Sequence, residues 1–503
     1  MLALCCCGGD QAASDPSATV STSTATSASS AGSSSSTASS GDSTGTSDGG
    51  STGDTGTSTG GSTGEPTGTS TGGDDGLYSP DNGPTHENGT IVGVCSKEEI
   101  LSAIANASPG DVITVCPGTF DFNQLIDVQN DGQASSRIFL RAEEFGTVTF
   151  NLSHIENFKI SGKFWIFENI HFFGNCVSEN DCEHAFHIVG DADDVIFRDN
   201  EIVNFASHVK LNGLVVGDGP GQSFPDRIMF INNFWHNTKY VANNAPHNIL
   251  NLDGGREHVI RGNIFADFNT PEWLPKSASA VYPKASAIRV LIEQNLIVCE
   301  KARTAGETAR GIQLGDGAPA SICDGDPDQD GLGDCVENGQ SQEATVRNNI
   351  VMSCNNGGSA AGIMVSSDRA SKIYHNTVYN AEPRSAAFYI GHPDHDTLWR
   401  YSILENGFNI DYAKRPLNEA DNLMPTLSEM NLIFAAPLDG DFSLLQGRDI
   451  TEQVASDDAV AHDFCGYPRG EEADLGAIEY STIYPGTPCA TIVQEMYDRI
   501  PSL

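Results

Sequence analysis

Between Asp326 and Glu337 the chain sets oxygen donors at the intervals a calcium ion requires. Asp326, Asp328, Asp330, the Leu332 carbonyl, Asp334 and Glu337 fall at positions one, three, five, seven, nine and twelve of an EF-hand-type loop, with Gly331 at six. Ca2+ takes six to eight hard oxygens on a tight curve, and the glycine lets the backbone turn sharply enough to deliver them. The flanks are not helical. RGIQLGDGAPA upstream and NGQSQEATVRNNIVMSC downstream both alternate like short strands. Cys323 and Cys335 bracket the loop and could close it covalently. The expectation is a structural Ca2+ clip rather than half of a calcium sensor; the plain alternative is a solvated acidic loop.

Other side chains suited to chemistry are dispersed. His184 and His187 in CEHAFHIVG could ligate a metal, although spacing places no third ligand and a histidine in a core or at a strand edge is the plainer reading. Lys210 in HVKLNG reads as a strand-edge residue. Asn248, Asn251, Tyr282 and Gln313 lie on or near the outward parity of short strands, where they would suit sugar hydroxyls. Asp253 and Asp316 are the carboxylate pair to nominate for glycoside hydrolysis, which needs two at a set separation. A scaffold has to bring such groups together.

That scaffold is written as a repeat. DVIFRDNEIVNF, RIMFINNFWHNT, HVIRGNIFADF, RVLIEQNLIVCE, ATVRNNIVMSC and SKIYHNTVYNA each alternate apolar residues around an asparagine. These are Asn200, Asn233, Asn263, Asn295, Asn349 and Asn376, separated by 33, 30, 32, 54 and 27 residues. Only the interval of 54 is out of line, and it contains the calcium-type loop. A period near 30 built from short strands and turns points to a solenoid, with the asparagines stacked as a ladder at one corner. A second set, GLVVGDG, ILNLDGG, AVYPKAS, GIQLGDG and GIMVSSD, supplies another face of each rung. The expected fold is all-β, a single-stranded right-handed parallel β-helix with the acidic loop, residues 316–342, as an insertion between rungs. A sandwich or propeller is the competing architecture.

Composition sets the compartment. From Ser21 to Gly76 there is no Val, Leu, Ile, Met, Phe, Trp, Tyr, Lys or Arg, so residues 11–76 read as a disordered tether. Thirteen cysteines less Cys5, Cys6 and Cys7 leave ten. Cys95 with Cys116, Cys176 with Cys182, Cys323 with Cys335 and Cys465 with Cys489 are close pairs, and Cys299 and Cys354 follow equivalent strands one rung apart. None has zinc-site spacing, which favours an exported, oxidised protein. With 67 acidic and 27 basic residues the formal charge is −40, a field that repels nucleic acid and anionic membranes. No run approaches the length of a membrane span. A monomer is expected.

Four stretches carry a resemblance. MLALCCCGGD resembles the truncated end of a bacterial lipoprotein signal, in which a lipidated cysteine follows a Leu-Ala-x box; this implies a lipid anchor within residues 1–10 as the sole membrane attachment. VCSKEEILSAIANASPGDVITVCPGTF resembles the opening of a right-handed parallel β-helix of the pectate-lyase-like superfamily, with an amphipathic helix capping the stack. HDFCGYPRGEEADLGAIEY resembles its closing motif, which implies a β-helix over residues 77–480 and a tail at 481–503. SSRIFLRAEEFGTVTFNLS is similar to the first rungs of polysaccharide lyases of the chondroitinase B and alginate lyase type. That family uses a lysine to take the proton α to a uronate carboxylate, an arginine on the next rung, and Ca2+ to mask the carboxylate. The resemblance implies Lys284 as the base and Arg310 as the nearest arginine, with a polysaccharide or cell-surface glycan as partner and no organic cofactor. Ser277, Ser279 and Gly315 stand where the family keeps two acids and the arginine. Asp253, beside Lys284 by rung alignment, would raise the lysine pKa and make an ion pair the alternative. Lyase, non-catalytic carbohydrate-binding or adhesive module, and structural surface protein are the competing functions.

Overall fold

The computed structural model describes residues 84–86, 88–177, 181–215, 222–241, 247–270, 277–301, 309–315, 340–354, 360–366, 368–379, 387–390, 397–411, 418–445, 450–455, 460–480 and 486–502. The acidic loop lies outside the described residues, with Asp316, Asp326, Asp328, Asp330, Leu332, Asp334, Glu337, Cys323 and Cys335.

Short β-branched and aromatic runs separated by turn residues favour strands over helices here, and every long sheet they build is parallel. Sheet one has twelve strands, from Thr90–Val94 to Asn418–Ala420. Sheet two has ten, from Gly118–Phe122 to Ile403–Leu404, and sheet three ten, from Ile126–Val128 to Phe408–Asp411. The chain visits the three in turn and pairs each strand with its counterpart one rung earlier, as in the right-handed parallel β-helix expected. One continuous apolar core runs up the inside, with Phe150, Phe158, Phe172, Phe186, Phe197, Phe230 and Trp235 in ring-to-ring contact. The capping helix Lys97–Ala105 starts at Ser96, whose hydroxyl accepts from the Glu99 amide while the Glu99 carboxylate accepts from Ser96, and it buries Ile100 and Ile104.

The asparagine ladder forms at the corner between sheets one and two. A residue with φ near +50 to +70°, at Asp199, Asn232, Gly262, Gln294, Asn348 and His375, precedes each ladder asparagine. Only a left-handed residue turns the chain this tightly, and for a residue with a Cβ it is costly. The ladder offsets that cost. Asn233 Nδ2 donates to Asn263 Oδ1 (3.2 Å), Asn263 Nδ2 to Asn295 Oδ1 (3.0 Å), and Asn295 Nδ2 to Asn349 Oδ1 (2.9 Å). The last bond spans the irregular interval of 54, so the rungs on either side of the insertion are adjacent.

Four of the expected disulfides are present: Cys95–Cys116, Cys176–Cys182, Cys299–Cys354 and Cys465–Cys489. Cys299–Cys354 staples neighbouring rungs. Such bonds persist in oxidising compartments, which makes an extracellular protein the consistent setting. Among the described residues no helix is long and apolar enough to cross a membrane.

The described chain holds two kinds of structure, and the second takes in part of the expected tail at 481–503. Regular rungs run to Ala420; beyond them the helix Leu427–Ile433, the hairpin Phe434–Ala436 with Asp441–Leu444, and the helix Cys489–Asp498 lie against sheet two. Phe234, Ile264, Leu296 and Ile350 of that sheet pack with Met430, Phe442, Val493 and Met496. The closing motif locks this cover down. Buried Arg469 donates to Glu479 Oε2 (3.3 Å), the Gly476 carbonyl (2.9 Å) and Asn348 Oδ1 beside the ladder (2.8 Å).

Candidate functional site

With sheet two covered, two outer faces remain to be read. Sheet one carries Arg141, Glu168 and Arg198 on consecutive rungs, then Arg261, Glu293 and Arg347. Each glutamate is gripped by both arginines through their Nε atoms at 2.6–2.7 Å. These triads satisfy one another and read as scaffold.

Sheet three is different. Leu250, Leu252 and Val281 fill the core, so Asn251 and Tyr282 between and beside them point outward. The register then stacks Lys159, His187, Lys210, Asn251 and Tyr282 on successive rungs. Pairing of Val281 with Ile312 sets Gln313 beside Tyr282 on the next rung. The row passes from cationic to neutral hydrogen-bonding residues with one aromatic ring among them.

Three residues before this row runs a second one, Glu156, His184 and Ser207, then Ser279 and Arg310. Asn248 joins it at Ser207, whose hydroxyl donates to the Asn248 carbonyl (2.7 Å). A spacing of three violates strict alternation, and the reason is local. Ala280 and Val281 both enter the core, as do Ala185 and Phe186, so the strands take in one extra inward residue. On the Arg310 strand that extra residue is Gly311, where a Cβ would stand 2.4 Å from Val351 Cγ1. Arg310 is thereby turned outward, although it sits at the beginning of Ala309–Leu314.

Around Tyr282 the side chains converge. Lys284 Nζ lies 3.3 Å from Asp253 Oδ1 and 4.8 Å from the centre of the Tyr282 ring. Arg310 Nη1 donates to Gln313 Oε1 (2.8 Å), as does the Ser279 hydroxyl (2.9 Å), and Gln313 Nε2 donates to the Gly315 carbonyl (3.1 Å). Burial pulls the Arg310 pKa below the usual arginine value, and the Tyr282 oxygen close by pulls it back. Asn251 is 4% exposed, and its Oδ1 has no hydrogen-bond partner among the described residues.

At the cationic end His187 lies between Glu156 Oε1 (3.1 Å) and Asn212 Oδ1 (2.6 Å), and His184 between Glu183 Oε1 (3.1 Å) and the Ser207 carbonyl (3.1 Å). The hydrogen bond from His187 drives the Glu156 carboxyl down to about 2, against its burial; His184 lowers Glu183 in the same way. The two histidines thus form carboxylate pairs, and among the described residues no cluster of three metal-capable side chains exists.

The structure therefore joins Asn251, Asp253, Tyr282, Lys284, Arg310 and Gln313 in one cluster, with Asn248 one row behind. Asp316 and the six calcium ligands are outside the described residues, so the Asp253–Asp316 pair has no geometry to report. Sequence reading missed Ser279 as an anchor of Gln313 and the glutamate partners of both histidines. The doublets Ala185–Phe186 and Ala280–Val281 were the available signal.

No family model and no curated protein matches the sequence. Among solved structures the chain is similar to pectate lyase Pel9A, at 13% identity over 76% of this chain and 90% of that one, with a TM-score of 0.48. It is similar to an alginate lyase from Paenibacillus sp. str. FPU-7, at 14% identity over 61% and 97% with a TM-score of 0.34. A third is the Streptococcus pneumoniae surface protein and adhesin PfbA, at 11% identity over 67% and 98% with a TM-score of 0.37. At these values the likenesses carry no argument about activity; the β-helix assignment rests on the strand register.

Proposed function

We propose that this is an exported β-helix protein that cleaves a uronate-bearing polysaccharide by β-elimination on the outward face of sheet three. The observation that carries the reading is Tyr282 with Lys284 over its ring and, on the next rung, Gln313 holding Arg310, on a row of rung-spaced polar side chains. A proton α to a carboxylate is acidic only when the carboxylate charge is masked, so elimination needs fixed positive charge beside a base. In a chain with 27 basic residues and a charge of −40, Lys159, Lys210, Lys284 and Arg310 share one face, where they offset Asp127, Glu156 and Asp253 and give an anionic glycan cations to meet. A parallel stack repeats about every 4.8 Å, a spacing suited to an extended polymer.

One observation favours a second reading, binding without chemistry: Lys284 is tied to Asp253 at 3.3 Å, as an ion pair would be. A single experiment separates the two. The purified chain, incubated with alginate, chondroitin, dermatan or pectin, is expected to release unsaturated uronate products that absorb in the ultraviolet. Retention on one of these polymers as an affinity gel, with no gain in absorbance, would establish the binding module instead.

The loop from Asp326 to Glu337 is proposed to hold one Ca2+ as a structural clip, since carboxylates on a loop this long repel until a cation gathers them. Calorimetry should show Ca2+ binding that Asp330→Ala weakens by about tenfold or more, and no heat up to millimolar Ca2+ would leave a solvated acidic loop. We further propose lipidation at Cys5 and a monomeric state, checked by mass spectrometry of the exported protein and by sedimentation.

A further inference from the structure

Resting on the β-elimination reading, we infer that Tyr282, not Lys284, takes the proton from the uronate and returns it to the leaving oxygen. Three observations converge on the phenol. First, the Lys284 ammonium is engaged by Asp253 at 3.3 Å while lying 4.8 Å from the Tyr282 ring. Its Nζ is thereby directed at the Asp253 carboxylate and the Tyr282 ring, where it is placed to stabilise negative charge on the phenol. Second, Arg310 brings another positive charge to Tyr282 from the adjacent rung. Its position is fixed by Gln313, which is itself held by Ser279 and the Gly315 carbonyl. Tyr282 is largely buried, so both cations act through a medium far less polar than water. Third, Asn251 is paired in register with Tyr282 and presents a buried, unpartnered Oδ1 on the same outward row. A buried acceptor with no donor costs about 1–3 kcal/mol, and a sugar hydroxyl arriving beside Tyr282 supplies the missing donor.

The step balances within the site. The Tyr282 phenolate oxygen takes the proton from C5 of the uronate. The electrons of that C–H bond form the C4=C5 double bond, and the bond from C4 to the glycosidic oxygen breaks. That oxygen takes a proton from the Tyr282 hydroxyl, which returns to phenolate. Arg310 faces the carboxylate whose charge must be masked, and neither oxidant nor reductant is consumed.

The test compares the wild-type chain with Tyr282→Phe and Lys284→Ala on whichever of the four polymers yields ultraviolet-absorbing product. Tyr282→Phe is expected to lower kcat by about 100-fold or more, the usual range for loss of a general acid–base group, with retention on the polymer gel unchanged. Lys284→Ala keeps measurable turnover. A chain with 3-fluorotyrosine at position 282 preserves size and hydroxyl while making the phenol more acidic, and it should move the pH profile of kcat/KM to lower pH. This second variant keeps the test decisive should Tyr282→Phe fold poorly. A Tyr282→Phe protein within about threefold of wild type, an unmoved pH profile, or complete loss in Lys284→Ala beside an active Tyr282→Phe would overturn the assignment alone. Absence of product from the wild type on every polymer overturns the elimination reading, and the assignment with it.

Discussion

Replacing Asn263 by leucine tests whether the ladder or the apolar core fixes the corners. The Asn263 Oδ1 accepts from the Asn233 amide (3.0 Å), from Asn233 Nδ2 (3.2 Å) and from Trp235 Nε1 (3.2 Å). Its Nδ2 donates to the carbonyls of Phe230 (2.9 Å) and Arg261 (3.0 Å) and to Asn295 Oδ1 (3.0 Å). Leucine has nearly the same shape and none of these groups. Of the orphaned partners, the Asn233 amide and the Trp235 indole are buried donors, each costing about 1–3 kcal/mol when left unpaired. Added apolar burial returns about 1–2 kcal/mol, leaving a net loss centred on about 2–3 kcal/mol and no more than about 5. Asn376 gives the control: among the described residues its Oδ1 accepts only from Asn349, and no indole there depends on it. Urea unfolding followed by circular dichroism should place Asn263→Leu below wild type, with Asn376→Leu between them, and Trp235 emission should shift in the first alone. Equal stability of Asn263→Leu and wild type would mean that the left-handed corners stand without the ladder, and the argument for it fails.

Buried ionisable groups give two further predictions. His208 is enclosed by Phe205 and Trp235, and burial pushes its pKa down to about 3, so the folded chain excludes a proton that the unfolded chain binds below about 6.5. Its contribution is complete above that pH and is lost as pH falls from there toward 3, at up to about 1.4 kcal/mol per pH unit; His208→Leu should flatten the stability curve over that window, and parallel curves would contradict the burial argument. Arg469→Leu should cost about 3–5 kcal/mol, because it breaks a buried ion pair with Glu479 by removing one partner, and limited proteolysis should then cut the cover over sheet two first.

Much of this molecule is legible in the chain because a solenoid makes distant residues equivalent by counting. Asn200 to Asn376 reveal the corner, the interval of 54 reveals an insertion, and counting back one rung from Lys284 finds Asp253 as its partner. The cover is not legible in that way. Residues beyond Ala420 have no period, and their apolar faces are recognisable only once Phe234, Ile264 and Leu296 are known to project from the outside of sheet two.

Arg310 marks the sharper limit. Alternation gives it the parity of Ile312 and Leu314, which face the core, and so removes it from the site on paper. What reverses this is an extra inward residue without a side chain at Gly311, a position that Val351 and the Gly362 carbonyl close to any Cβ. The same departure recurs at Ala280–Val281, where it brings Ser279 to Gln313. The extra inward residue adds no outward position; it shifts which side chain takes one, so that Ser279 and Arg310 face outward three residues before Tyr282 and Gln313, and Arg310 and Ser279 reach Gln313 from there. The departure runs along this sheet from Glu156 and Lys159 to Arg310 and Gln313, and it is the part of the site a strictly periodic reading passes over.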